Sequence, residues 1–130
     1  MIFTFGYGNR KDYSQFIDAI ASNNIKYVVD VRIKPKSWST LWYSNSIKKC
    51  CETLGIYYVS LPSLGNTSGN ANWIPPDEIA AIRSLEEVAS MIQNNSVLLL
   101  CSELDPAKCH RTEVAKSLAK ITKSTIEHLR

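Results

Sequence analysis

The stretch Val97-Leu98-Leu99-Leu100-Cys101-Ser102-Glu103-Leu104-Asp105-Pro106-Ala107-Lys108-Cys109-His110-Arg111 joins fold and chemistry in one segment. It opens with an unbroken apolar run ending in Cys101, the pattern of a strand covered on both faces, as in parallel sheets. Asp105-Pro106 then reads as an N-cap with proline in the first helical position. Thiols, a carboxylate, an imidazole and a guanidinium therefore fall at a strand-to-helix turn.

Outward from this segment, strands and helices alternate. Ile2-Phe3-Thr4-Phe5 predicts a first strand. Tyr13, Phe16, Ile17 and Ile20 give one apolar helical face, stopped by Asn23-Asn24 before a second strand from Ile25 to Val31. Ile47, Cys50, Cys51 and Leu54 predict a short helix ended by Gly55, and Ile56 to Leu61 a third strand. Pro75-Pro76-Asp77-Glu78 opens a third helix with Ile79, Ile82, Leu85, Ala89 and Ile92 at helical spacing. After the strand at Val97 to Cys101, a helix starting at Pro106 turns Val114, Ala115, Leu118 and Ile121 inward. Ser124 to Leu129 suits a short edge strand. Alternation of this kind implies a single three-layer α/β/α domain over residues 1–130, Rossmann-like, with a mostly parallel sheet of about five strands.

Composition narrows the function classes. The 130 residues, 45% of them hydrophobic, suffice for one core. A net charge of +3 does not by itself name a nucleic-acid partner. No apolar run approaches the roughly 18 residues of a membrane span, and the chain starts on a strand-like segment rather than a leader. A soluble, cytoplasmic protein with no membrane partner is expected. Cys50 and Cys51 are adjacent in a predicted helix, which disfavours a disulfide framework, so reduced thiols are expected.

In open α/β sheets ligands bind beyond the carboxyl ends of the strands. Those ends carry Gly6-Tyr7-Gly8-Asn9-Arg10, Asp30-Val31-Arg32, Leu61-Pro62-Ser63-Leu64-Gly65-Asn66, and Cys101-Ser102-Glu103. The order of these pieces, completed by Cys109-His110-Arg111, resembles the Domain of Unknown Function 488 family. Its members carry a glycine-containing first loop, Asp-Val-Arg, Leu-Pro-x-Leu-Gly and Cys-x-Glu-x5-Cys-His-Arg. The family commonly has Gly-His-Ser in the first loop, where this chain has Tyr7 and Gly8, so a role for that histidine is not carried over. The resemblance implies an α/β fold and a shared site, and it implies no particular reaction.

Cys101, Glu103, Cys109 and His110 are the catalytic candidates: a thiol as nucleophile or redox group, Glu103 or His110 as acid or base. A Cys-x5-Arg phosphatase-like loop would need arginine at Ala107, and Pro106 removes an amide from an anion-binding helix start. An inert buried thiol is the plain alternative. Zinc on Cys101, Glu103, Cys109 and His110 is a further reading, but a helix starting at Pro106 would point Cys109 and His110 about 100° apart. The expectation is therefore no bound metal or other cofactor.

Gly6, Tyr7, Gly8, Asn9, Arg10, Asp30, Arg32 and Arg111 are the ligand-binding candidates. Three guanidiniums in one cleft would demand anions, with an Asp30–Arg32 pair as the structural alternative. Lys34, Lys36, Trp38 and Trp42 interleave cations with aromatics, as in single-strand nucleic-acid contacts; packing of the two tryptophans on the domain is the competing reading. Asn66 to Asn72 reads as a polar loop able to close over the site, or as a solvated connection. His128 and the Cys50-Cys51 pair are expected to be structural. Two functional hypotheses follow: a small enzyme acting on a phosphate-bearing ligand such as a nucleotide or nucleic-acid component, or a noncatalytic nucleotide or nucleic-acid binder using the same cleft. A third reading makes the motif purely structural.

Overall fold

The computed structural model describes residues 1–130. Five strands, β1 (Ile2–Gly6), β2 (Ile25–Asp30), β3 (Tyr57–Ser60), β4 (Ser96–Cys101) and β5 (Ile126–Leu129), form one sheet in the order β3-β2-β4-β1-β5. Every pairing is parallel. The helices are α1 (Ser14–Ser22), α2 (Ser44–Thr53), α3 (Glu78–Ile92) and α4 (Arg111–Thr122). The chain is thus a single α/β domain whose sheet is parallel throughout. No helix is long and apolar enough to cross a membrane.

Side-chain alternation sorts the core into two layers. Phe3, Phe5, Val28, Leu98 and Leu100 meet Phe16 and Ile20 of α1 and Ile47 and Cys51 of α2. Ile2, Val29, Val97, Leu99 and Cys101 meet Leu85, Val88 and Ile92 of α3 and Val114, Ala115 and Leu118 of α4. Cys101 therefore lies on the α3/α4 side of the sheet, a placement that decides the site. On the same side Thr4 Oγ1 lies 2.6 Å from His128 Nδ1, joining β1 to the edge strand β5.

Three expectations need correction. Helix α3 buries Ala81, Ser84, Leu85, Val88 and Ile92, while Ile79 and Ile82 are exposed. Both sets have helical spacing; the small residues win because Ser84 must approach Ser63 closely enough for their hydroxyls to hydrogen-bond. Ile121 of α4 is likewise exposed. Finally, Asp105 caps only a 3-10 turn over Pro106–Lys108, through Oδ1 accepting from the Ala107 N–H at 2.9 Å. Cys109 is then extended, with φ −124° and ψ 137°, and α4 starts at Arg111.

The connections place β4 at a point of reversal. The chain leaves β1 and β2 towards the α1/α2 layer and leaves β4 towards the α3/α4 layer, so crevices open on both sides of the β4 carboxyl end. The loop after β1 stays paired with the loop after β4: the Tyr7 N–H donates to Cys101 O at 3.0 Å and the Gly8 N–H to Ser102 O at 2.7 Å. Gly6 makes this approach feasible, since a Cβ there would lie 1.9 Å from Glu103 O. Gly6 thus admits the neighbouring loop, and a Cβ on Gly8 would meet the Leu104 side chain.

Replacing Gly6 by alanine forces these loops apart. Urea unfolding of Gly6→Ala should show a loss of about 1–3 kcal/mol, the usual range for overpacking. A midpoint equal to that of the parent would mean the two loops separate without penalty.

Candidate functional site

The β4 carboxyl end brings three potential metal ligands together. Cys101, Cys109 and His110 are buried, at 6%, 5% and 7% exposure. The two sulfurs and one ring nitrogen all lie within 4.8 Å of one another, a group that could hold a metal. Strand parity turns Cys101 towards α4, and the extended backbone at Cys109 brings its sulfur back to the same point. The divergence expected of Cys109 and His110 does not arise, because neither lies within a helical turn begun at Pro106.

His110 is oriented by main-chain groups of two other loops. Its Nε2 lies 3.0 Å from both Val31 O and Leu64 O. Both neighbours are acceptors, so Nε2 carries hydrogen, and in the neutral ring Nδ1 holds the lone pair. Nδ1 faces Cys101 Sγ at 4.0 Å and Cys109 Sγ at 3.9 Å.

The two thiols are unequal. The neighbouring Cys101 thiol holds Cys109 below the ordinary thiol range against the opposing effect of burial, aided by the main-chain N–H and charge of Arg111. The same proximity to Cys109, with burial, pushes Cys101 up. Of the two, Cys109 is the more acidic thiol.

The cluster forms the floor of a cleft of about 290 Å³. Arg32, Lys34, Lys36 and Lys108 supply cations to its lining, Glu103 supplies a carboxylate, and Asn66 and Asn70 flank them. A wider hollow of about 650 Å³ adjoins it, sharing Tyr7, Lys34, Lys36, Ser102 and Glu103 and adding Gly8, Asn9 and Trp38. Lys108, Asn66 and Asn70 were not candidates from the sequence. Lys108 had a signal, since it sits inside the Cys-x-Glu-x5-Cys-His-Arg motif, and the asparagines belong to the polar loop expected near the site.

The three arginines do not share a cleft, contrary to expectation. Arg111 is fully buried and donates from Nη1 to Glu103 O and from Nη2 to Leu104 O at 3.2 Å, while its Nε has no partner. It clamps the loop after β4 and faces no ligand space. Arg10 donates from Nε to Gly6 O at 3.1 Å, lies over the Phe5 ring, and lines a separate hollow with Asp105 and Arg130. Burial and the charge of Arg111 lower its pKa.

Arg32 borders the cleft, but each of its three nitrogens already has a protein partner. Nε and Nη2 bind the two Asp30 oxygens at 2.8 and 2.6 Å, and Nη1 reaches Trp42 O at 2.9 Å and Tyr7 Oη and Lys36 O at 3.3 Å. Burial opposes its charge, but the bonds and charge of Asp30 outweigh it and raise the pKa. Tyr58 Oη donates to Asp30 Oδ2 at 2.6 Å and completes the network.

The aromatic loop divides. Trp42 is a core residue at 1% exposure, packed on Tyr7, Tyr13 and Phe16, with Nε1 donating to Arg10 O at 2.9 Å. Trp38 is fully exposed beside Lys34, Lys36 and Ser37. The two do not form a helical turn, because Ser39 caps a 3-10 turn over Thr40–Trp42 that excludes Trp38.

The model of a family described as Domain of unknown function DUF488 matches residues 12–118. The chain belongs to this family. The match takes in Asp30-Val31-Arg32, the Leu-Pro-x-Leu-Gly stretch and Cys101 through Arg111, while the glycine loop Gly6–Arg10 precedes it. No curated protein and no solved structure matches the chain. For this DUF488 chain the geometry of its own residues is therefore the guide to function.

Two outcomes check the site. In chelator-treated, reduced protein at about pH 6, well below the ordinary thiol pKa of about 8.5, iodoacetamide should label Cys109 ahead of Cys101. Equal labelling by peptide mass spectrometry would contradict this difference in acidity. Asp30→Asn leaves the buried Arg32 unpaired and should lower unfolding free energy by about 3–5 kcal/mol in urea titrations.

Proposed function

We propose that this protein is a small cytoplasmic enzyme acting on a phosphate-bearing ligand, a nucleotide or nucleic-acid component, at the cleft above Cys101, Cys109 and His110. The observation that carries this reading is the pairing of a Cys/Cys/His floor with unpaired lysines above it. Lys34, Lys36 and Lys108 line the cleft, and none takes part in the protein's two ion pairs, Arg32–Asp30 and Lys116–Glu113. Three free cations against the single carboxylate of Glu103 favour an anion.

The exposed Trp38 supports a nucleotide over a bare phosphate. It borders the adjoining hollow together with Lys34 and Lys36, so a phosphate over the lysines would leave a base within reach of the indole. Glu103 is exposed on the same rim and suited to accept a proton, and the cluster supplies the reactive group beneath. The thiols this site needs fit a reducing compartment.

A noncatalytic nucleotide or nucleic-acid binder is the second reading, favoured by the same exposed Trp38. Calorimetry and chromatography on a panel of nucleoside monophosphates separate the two. Lys34→Ala and Lys36→Ala should each weaken inorganic phosphate and mononucleotides alike, by about threefold to tenfold. Trp38→Ala should weaken only the nucleotides, by about fivefold or more, the value of one base stacked on an aromatic ring. Cys109→Ser should lose conversion of the nucleotide. Binding without conversion in the parent protein would favour the second reading, and no binding at all would defeat both.

A further inference from the structure

We infer that Cys101, Cys109 and His110 form a binding site for one thiophilic divalent metal ion, zinc by donor set, with its fourth coordination position open to the lysine-lined cleft. The inference deepens the proposed function only in that the open position faces that cleft; the ion itself is argued from the cluster alone.

Distance is the first argument. Tetrahedral zinc with bonds of about 2.3 Å to sulfur and about 2.0 Å to nitrogen sets sulfur and nitrogen about 3.5 Å apart and two sulfurs about 3.8 Å apart. Here Nδ1 is 4.0 and 3.9 Å from the sulfurs, and all three atoms fall within 4.8 Å of one another. An ion at their centre requires the nitrogen–sulfur pairs to close by about 0.5 Å and the two sulfurs, which lie within 4.8 Å of each other, by up to about 1 Å, movements within side-chain reach. The same distances are long for a thiol hydrogen bond to nitrogen. A Cys101–Cys109 disulfide, the other covalent outcome, would leave the inward lone pair of His110 without a partner.

The surroundings of the ligands are the second argument. Metal-bound histidines generally donate their other ring N–H to a carbonyl or carboxylate, which fixes tautomer and orientation. His110 has two such acceptors, Val31 O and Leu64 O at 3.0 Å, from the loops after β2 and β3. The lone pair is therefore held towards the sulfurs by parts of the fold that need no metal.

Charge is the third. Two thiolates with a neutral imidazole carry two negative charges, which a divalent cation cancels. Each residue is less than a tenth exposed, so that neutrality matters more here than at the surface. Two sulfurs and one nitrogen select zinc over magnesium or calcium. Three protein ligands at the floor of a cleft describe an open site rather than a closed structural one, and the fourth position would take water or a phosphate oxygen.

The test is a titration of the whole chain with cobalt(II), after removal of metal by a chelator under reducing conditions. The expected result is saturation at one equivalent, with sulfur-to-cobalt charge-transfer absorption and the visible bands of tetrahedral cobalt, both abolished by zinc. Cys109→Ser and His110→Gln should each weaken binding by more than about 100-fold, beyond the loss usual for groups that merely orient a ligand. A variant carrying Cys50→Ser and Cys51→Ser should titrate like the parent. Absence of the bands in the parent chain, or their survival when Cys101 and Cys109 are both serine, overturns the site. Inorganic phosphate should shift the visible bands and leave the charge-transfer band in place; unmoved bands would refute the open position. Mononucleotide calorimetry on the same samples is read independently, so cobalt binding without nucleotide binding rejects the proposed function alone, and the converse rejects the metal alone.

Discussion

A buried guanidinium holds the carboxyl end of this sheet together. Arg32 is 6% exposed, and its donors reach the Asp30 carboxylate at the end of β2, the Tyr7 hydroxyl in the loop after β1, and the carbonyls of Lys36 and Trp42. The loops after β1 and β2 therefore share one charged centre. Such a pair gives little net stability compared with an apolar replacement, yet losing either partner strands a buried charge. Its value lies in geometry: Lys34 and Lys36 are presented to the cleft because the segment carrying them is tied to Arg32.

Three backbone features then bring the reactive groups to one point. β4 sits between β1 and β2, whose connections leave towards the opposite layer, so its end opens into a crevice. Strand parity puts Cys101 on the α4 side. The extended Cys109, between a 3-10 turn and α4, folds its sulfur back to the first. A helix running unbroken from Pro106 would have carried Cys109 and His110 to different faces. The short turn is thus what makes a compact Cys/Cys/His cluster possible.

The sequence was most legible where one periodicity had no competitor. The apolar run at β4 and its neighbours was enough for a mostly parallel sheet with helices on both faces, and the sheet proves parallel throughout. Helix α3 offered two phases that share Leu85 and Ile92, and it is Ile79 and Ile82 that end up exposed, while Ala81, Ser84 and Val88 face the core and Ser84 meets Ser63. The Asp105-Pro106 signal was a genuine cap, but a cap does not reveal whether one turn or a whole helix follows it. At the site, the residue types in Cys101 through Arg111 were visible and their division of labour was not. Arg10, Arg32 and Arg111 looked alike as cations, and which bonds occupy each depends on contacts between distant loops. Trp38 and Trp42 likewise separate into surface and core only once the Ser39-capped turn is in place.

That division follows from the chemistry of the two basic side chains. The planar fork of arginine suits permanent buried links, and here each arginine at this end bonds carbonyls or a carboxylate of the protein itself. Lysine presents a hydrated, mobile point charge, better suited to an anion that must arrive and depart. Lys34, Lys36 and Lys108 outnumber Glu103 in the cleft, so under the proposed function they would attract anions in general and choose among them poorly. That attraction weakens as salt rises, with a screening length of about 10 Å at 0.1 M. Selectivity must then come from groups salt screens little: the Trp38 face at the rim and the buried cluster at the floor.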